Sequence, residues 1–433
     1  MPLCVLLIAG CDLLGASDEP AGAVGASAKE VEALLDPSTM AEPWERGALR
    51  RGPVVTQVAV YGQGDDPSTL ESVARRIVKS HSSALKIELE FPAMDTYAPP
   101  EPQMLEFVGV GLSSEQVRAV QEAKAVAVLT VSSDDASLAE TAMAEAYALA
   151  SDIAGKSNGL LWDESTRQLF SPEAWTERMA AGPSTKGERW RHFTVHNYRD
   201  GELIRQVSLG LGKFGVPELV NEGVTGYDGG AMGQLLNLVA EAMIDGAEVG
   251  DGGSLPVTTS DGRTVEIRLG VGTRQEGDAP GRLAVILFPG QGSLQQRQAA
   301  LLDDVLGKRD GEILDAAADD AELLAASAKA KKELAGLKTH FAAGIPELEA
   351  LSVKAPFDTD DGSVEWMWVE VTAWKGDTMK GILQNDPRAI ADLRRGATVE
   401  VKVDALFDYL HRRADGSTAG GTTNDILQRR FAR

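Results

Sequence analysis

From Val54 onward, apolar and polar positions alternate in patterns that spell out secondary structure. "VVTQVAVYG" (54–62) is apolar and rich in β-branched residues, as a buried strand is. "DPSTLESVARRIVKS" (66–80) repeats its apolar positions at helical spacing behind an Asp-Pro start. "ALKIELEFP" alternates, "QMLEFVGVGL" reads as a strand, "SSEQVRAVQEA" as a serine-capped helix and "KAVAVLTVSS" as a strand. The order strand, helix, strand, strand, helix, strand over 54–131 predicts a split βαβ, ferredoxin-like unit. An Ala-rich helix over 137–154 follows, then a strand pair and a helix opening at Ser171-Pro172 in "GLLWDESTRQLFSPEAWTERM". "RHFTVHNYRDGELIRQVSL" predicts a hairpin around Asp200-Gly201. Further on, "AMGQLLNLVAEAMIDG" is a helix closed by Gly246, "RTVEIRLGV" and "RLAVILFPG" are strands, and "LQQRQAALLDDVLG" is a helix. Residues 51–300 read as one α+β region, with a subdivision near residue 155.

Strong helix formers with leucines at helical spacing over 309–343 predict a helical connector, assigned to 301–350. "KAPFDTDDGS" then reads as a loop. Residues 364–374 alternate as a strand: Met367, Val369, Val371 and Ala373 point one way, and Trp366, Trp368, Glu370, Thr372 and Trp374 the other. "KGD" turns the chain into a second strand, "TMKGILQ". "NDPRAIADLRRG" carries a short-helix grammar, with Asp386 as N-cap, Pro387 at N1 and Gly396 past the end. "TVEVKV" is a third strand, and "ALFDYLHRRADGS" an aromatic strand or short helix. The fold class is therefore α+β: a ferredoxin-like unit within a larger α+β region, a helical connector, and a small α+β domain over 351–433.

Two resemblances attach to these blocks. "WMWVEVTAWKGDTMKGILQNDP" (366–387) with "LRRGATVEVKVDALFDYL" (393–410) resembles the YegJ-type bacterial domain of unknown function, which has a tryptophan-bearing strand and a G-D-x-x-x-G-x-L-x-N-x-P block. "SLGLGKFGVPELV" with "LLNLVAEAMIDGAEVGDGGSLPV" is similar to uncharacterised bacterial domains with a GL-x-x-FG-x-PEL block. Both imply boundaries and no chemistry.

Charge narrows the partners. Forty-two Lys and Arg against 65 Asp and Glu give −23, a field that repels phosphate backbones, so no nucleic-acid partner is expected. Residues 353–433 hold 12 basic and 13 acidic side chains, so nearly all the excess acidity lies earlier, as expected of a separate C-terminal domain. Hydrophobic content of 43% predicts that most of the chain folds.

The first eleven residues suggest an address. An apolar run from Leu3 to Ala9 is too short to span a bilayer and matches a secretory h-region. "IAGC" (8–11) resembles a bacterial lipobox, in which Cys11 is lipidated and the preceding peptide removed. No Lys or Arg precedes the run, a departure from that pattern, and a buried N-terminal strand is the alternative. The Gly/Ala/Ser-rich stretch within 12–50 reads as a flexible tether. With only Cys4 and Cys11 in the chain, no disulfide, cysteine catalysis or Cys-ligated zinc is expected.

Catalytic motifs fail on context. "GKSNG" (155–159) fits G-x-S-x-G, but a helix precedes Ser157 and a strand follows, the reverse of a nucleophile elbow. "GLGKFG" (210–215) fits G-x-G-x-x-G but lacks the long helix whose N-terminus holds a pyrophosphate. "FPGQGS" (288–293) opens like an acyl-carrier-protein acyltransferase without the nucleophile motif, and reads as a turn with Ser293 as N-cap. His192 and His196 fall on one face of a strand at i, i+4, but a zinc site needs three or four ligands and the chain has five histidines. The carboxylates of "WDE" (162–164) diverge and read as a solvated turn. No catalytic residue, cofactor or metal site is expected.

The remaining candidates lie in the C-terminal block. Trp366, Trp368 and Trp374 form either a packing surface, covered by the short helix or the connector, or a ligand platform if exposed together. Asp377, Lys380, Asn385 and Asp386 are its polar members; Asp377 and Lys380 face opposite sides, an awkward acid–base geometry. The favoured reading is a cell-envelope lipoprotein, anchored to the membrane through Cys11, that binds or scaffolds a protein or small molecule. An envelope hydrolase with carboxylates gathered only by the fold, or a cytoplasmic interaction protein, are the alternatives.

Overall fold

A computed structural model describes Leu6–Leu7, Leu49, residues 51–307 and 320–431, apart from positions 65, 186–187, 276–277, 279–280, 342, 347–348 and 361. Cys11 and the tether lie outside these residues except for Leu49, which is not part of a free tether but is buried in the core of the second sheet. The described chain is α+β, arranged on three sheets.

The first sheet holds β2 (Val54–Gly62), β3 (Lys86–Glu90), β4 (Gly109–Val110), β5 (Ala125–Ser133), β6 (Leu160–Asp163) and β7 (Gln168–Phe170) in the order β3-β5-β2-β6-β7-β4. In β2 both faces are apolar because both are covered. Val54, Val58 and Val60 pack with α1 (Pro67–Ser80), α4 (Ala139–Ser157) and Trp175 of α5 (Pro172–Ala181). Ala59 and Tyr61 pack with α2 (Pro102–Val108) and Val120 of α3 (Ser114–Gln121). This order is not that of a split βαβ unit. The segment "QMLEFVGVGL" is mostly helix, α2, and leaves only the two-residue β4, which pairs with β7 at the far edge. The place beside β2 is taken by β6 instead. Position 155 lies inside α4, so the chain leaves this sheet only after α5.

The second sheet runs β1 (Leu6–Leu7), β8 (Thr194–Asp200), β9 (Leu203–Leu209), β10 (Glu218–Val224), β13 (Leu283–Leu287), β12 (Thr264–Val271), β11 (Ser254–Thr258). Its core gathers α6 (Gly229–Ile244) and α7 (Leu294–Leu306). Leu6–Leu7 pairs parallel with His196 and Asn197, the strand alternative for the N-terminal apolar run.

The third sheet is antiparallel, ordered β17 (Thr398–Lys402), β16 (Thr378–Leu383), β15 (Val364–Lys375), β14 (Ala350–Asp358), β18 (Asp408–Arg412), β19 (Thr418–Gly420). Its core is closed by Ala330 and Leu334 of α8 (Ala321–Leu337), so that helix packs as part of this body. α9 (Thr422–Phe431) contributes Ile426 beside Leu323. "KAPFD", expected as loop, is the second half of β14. Its proline is tolerated because β14 pairs with β18 only as far as Lys354, so Pro356 interrupts no ladder on that side.

The short helix expected over 386–395 does not form. The N–H groups of Arg388 and Ala389 donate to the Glu365 carboxylate, and that of Ala391 to Asp360 Oδ2. Side-chain acceptors from β15 and the loop before it thereby supply what helical carbonyls would have supplied. Gly396 has φ +83°, and a Cβ there would lie 2.5 Å from backbone atoms of Gln295 and Gln296. The loop therefore rests directly on α7.

Candidate functional site

Three groups of polar side chains bear on the candidate residues. The first is centred on Asp163, which is wholly buried rather than solvated as "WDE" suggested. Its Oδ2 lies 2.7 Å from both Lys213 Nζ and Arg178 Nη2, and its Oδ1 accepts from the N–H groups of Ser165 and Thr166. Lys213 also donates to Tyr147 Oη at 3.2 Å. The Arg178 guanidinium sits over the rings of Phe170, Tyr147 and Trp175. Burial pushes Asp163 up, but Lys213 and Arg178 outweigh it and hold the carboxyl well below its usual range. Burial draws Lys213 down to about 8 against the pull of Asp163.

Lys213 comes from the G-x-G-x-x-G stretch, and the use of that loop is now plain. Gly210 and Gly215 turn with φ of +113° and +73°. The N–H groups of Gly210 and Gly212 converge on Glu218 Oε1, while Ser208 Oγ donates to Oε2 at 2.6 Å. The anion in this nest is the protein's own carboxylate, which burial raises to about 7. Residues 218–224 continue as strand β10, not as a helix. Ser157 ends α4 and donates to Ile153 O, with Asn158 in the left-handed region. Ser293 caps α7 in a capping box with Gln296. His192 lies outside the strand that holds His196, stacks on Tyr147, and is buried.

The second group is the tryptophan strand and its polar block. A β-bulge between Val371 and Ala373 shifts the register, so Trp374 falls on the Met367 side and is buried in the core of the third sheet. The alternation that placed it with Trp366 and Trp368 stops at the bulge. Trp366 is half-buried against Phe407, with ring centroids 4.9 Å apart. Trp368 is half-buried, and its backbone N–H donates to Asn385 Oδ1. Asn385 is buried, and the exposed Asp386 accepts from the Arg395 N–H. Asp377 is exposed at the hairpin turn, 3.6 Å from Lys402 Nζ; Lys380 is exposed, 3.9 Å from Glu202. The four polar members do not converge. Glu370, on the Trp366 face, accepts from the N–H groups of Gly226 (2.5 Å) and Tyr227 (2.7 Å), joining the third sheet to the loop before α6. Arg395 adds a second joint, to Asp303 and Ala299 O of α7.

The third group escaped the sequence reading. His340 Nε2 and His411 Nε2 lie 2.8 and 2.6 Å from the same oxygen, Glu349 Oε2. One ligand atom from each residue lies within 4.8 Å of the others, the one such grouping of His, Cys, Asp and Glu among the described residues. His340 follows α8, Glu349 precedes β14, and His411 stands in β18 opposite Leu351. Burial pushes Glu349 up, but the hydrogen bonds of the two histidines outweigh it and hold the carboxyl below its usual range. His192 and His196 are close in sequence, whereas Glu349 and His411 are 62 positions apart and are brought together by the β14–β18 ladder.

Comparison with known proteins settles on this last body. Residues 320–433 match the family of uncharacterised proteins conserved in bacteria, DUF2314. The match begins beside α8, in keeping with that helix sharing the core of the third sheet. The chain is also similar to uncharacterized protein YegJ of Escherichia coli strain K12, 26% identical over 81 residues, or 19% of this chain and 52% of that protein. The chain thus spans about half the length of the curated relative it matches. No solved structure matches it. The DUF2314 region contains the tryptophan strand, its polar block and all three residues of the His–Glu–His group.

Proposed function

We propose that this chain is a cell-envelope lipoprotein whose folded body binds or scaffolds a partner, held at the membrane through Cys11. The observation that carries the binding reading is the use made of the buried acids. Asp163 is taken up by Lys213 and Arg178, Glu218 by the glycine loop and Ser208, and Glu370 by Gly226 and Tyr227. Each holds one element against another. A hydrolytic acid–base pair must instead reach substrate within hydrogen-bond distance. The address rests on "IAGC" behind the apolar run Leu3–Ala9. Cleavage before Cys11 would remove Leu6–Leu7 and leave β8 as the edge of the second sheet.

The test is metabolic labelling of the full chain with a palmitate analogue in a bacterial host, with and without globomycin. The expected result is label on the wild type, globomycin-sensitive processing and recovery with membranes, all lost in Cys11→Ser. A Cys11→Ser chain that fractionates like the wild type would refute the anchor.

A further inference from the structure

Asp163, Glu218 and Glu370 join elements of the fold, whereas the side chains of His340, Glu349 and His411 meet one another and join no two sheets. Its residues come from three elements of one core. β14 and β18 pair at Leu351 and His411, which sets His411 beside the chain leaving Glu349. Phe341, fully buried, meets the His411 ring edge to face with centroids 5.1 Å apart, which fixes its orientation. The carbonyl of Glu349 is held from the second sheet by Arg199 Nη2 at 2.9 Å, and the Pro346 carbonyl by the same nitrogen at 3.4 Å. His411 is thus set by a strand, while His340 and Glu349 lie in the segments that join α8 to β14, the latter held at its carbonyl by Arg199.

The polar commitments of the rings point the same way. His411 is buried, and its Nδ1 has no hydrogen-bond partner among the described residues, so its polar engagement is through Nε2 at the cluster. The side chains of Glu349 and His411 are 12% and 5% exposed, whereas His340 is 45% exposed, which opens the cluster on one side. Ligand atoms bound tetrahedrally at about 2.0–2.2 Å from an ion lie about 3.3 Å apart. The separations here are 2.6 and 2.8 Å to Glu349, with none beyond 4.8 Å. To share an ion, the Glu349 oxygen must draw back from both imidazole nitrogens by about half an ångström to reach the tetrahedral spacing of about 3.3 Å, while the exposed His340 ring is free to turn toward the common centre.

We propose that His340 Nε2, the Glu349 carboxylate and His411 Nε2 bind one divalent transition-metal ion of the zinc class. Two imidazoles and one carboxylate suit such borderline ions better than magnesium or calcium, which favour all-oxygen sites. Three protein ligands leave a fourth position, facing solvent past His340, for water or a partner's donor atom. The ion would tie the end of α8 to β14 and β18. This goes beyond the anchoring and binding reading and does not depend on it.

The test uses the purified full chain with Cys4 and Cys11 replaced by serine, so that no thiol competes, after treatment with a chelator. Zn2+ is titrated by calorimetry, and Co2+ by its visible absorption. The expected result is saturable binding of one equivalent, weakened by about tenfold or more in His340→Ala and in Glu349→Gln. His340 is exposed, so its variant should retain the fold, which circular dichroism checks. No one-equivalent binding in the parent, or binding that His340→Ala weakens less than tenfold, overturns the site. Neither outcome bears on labelling at Cys11, which is read in cells.

Discussion

The Asp163 cluster makes an unequal pair of predictions. One carboxylate faces two cations, and all three side chains are at most 4% exposed. Asp163→Asn keeps the shape but leaves Lys213 and Arg178 facing each other without the carboxylate between them, Glu218 remaining as the weaker counter-charge on Lys213. Removing one partner of a buried ion pair costs about 3–5 kcal/mol, and the repulsion between the two remaining cations places this variant in the upper part of that range. Lys213→Met is different in kind. It leaves a neutral Asp163–Arg178 pair, still supported by the Ser165 and Thr166 N–H groups. It forfeits the ion pair and the Tyr147 hydrogen bond, but it also removes the cost of burying an ammonium, which is visible in the fall of Lys213 to about 8. The expected loss is within about 1.5 kcal/mol. Urea unfolding followed by circular dichroism separates the two. With m of about 1.5 kcal/mol/M, Asp163→Asn lowers the midpoint by about 2 M or more and Lys213→Met by about 1 M or less. The double variant should be more stable than Asp163→Asn alone, because it removes one of the two opposed cations. If Lys213→Met costs as much as Asp163→Asn, or the double variant is no better than Asp163→Asn, the charge argument fails.

Other outcomes follow from the same geometry. Burial, with smaller contributions from Arg178 and Lys213, lowers His192 from 6.5 to about 3. Below pH 6.5 the unfolded chain therefore takes up a proton that the native state refuses, and stability falls as pH drops. Between pH 6.5 and 5 that loss is about 1.6 kcal/mol for this residue, so urea midpoints of His192→Phe should decline less over that interval by a corresponding amount. Glu370→Gln offers one acceptor oxygen where two N–H groups now find two, and should cost about 1–3 kcal/mol, seen as faster hydrogen exchange at Gly226 or Tyr227. Gly396→Ala combines positive φ with a clash against the Gln295–Gln296 backbone and should cost about 1–3 kcal/mol or more, with easier proteolysis between α7 and the third sheet. Zn2+ at about 100 times its dissociation constant should stabilise the chain by about 2.7 kcal/mol, an effect reversed by chelator and absent in His340→Ala.

Much of the framework was legible because it is written in local terms. β2, β3 and β5 showed as apolar or alternating runs, α3 and α7 announced themselves through serine caps, and α5 through Ser171-Pro172. The rejected motifs were also rejected on local order: Ser157 sits where a helix ends, and no helix follows the glycine loop. The C-terminal resemblance rested on quoted blocks that fall inside the DUF2314 match. Where the reading failed, a partner distant in sequence had outbid a local preference. The helix signature of Asp386 to Gly396 is sound grammar, yet Glu365 and Asp360 took its N–H groups.

The amino-acid sequence by itself determined the class, most of the strands and helices, the acidic character and the C-terminal blocks that fall within the DUF2314 match, because spacing, caps and composition act within a few residues. Only the tertiary structure decided the strand order of the first sheet, the face on which Trp374 lies, the burial of Asp163 and the meeting of His340, Glu349 and His411. Each of these depends on which segment becomes the neighbour of which. A bulge of one residue reverses a strand's faces, and a lysine fifty positions away turns a surface-looking aspartate into the centre of a buried cluster.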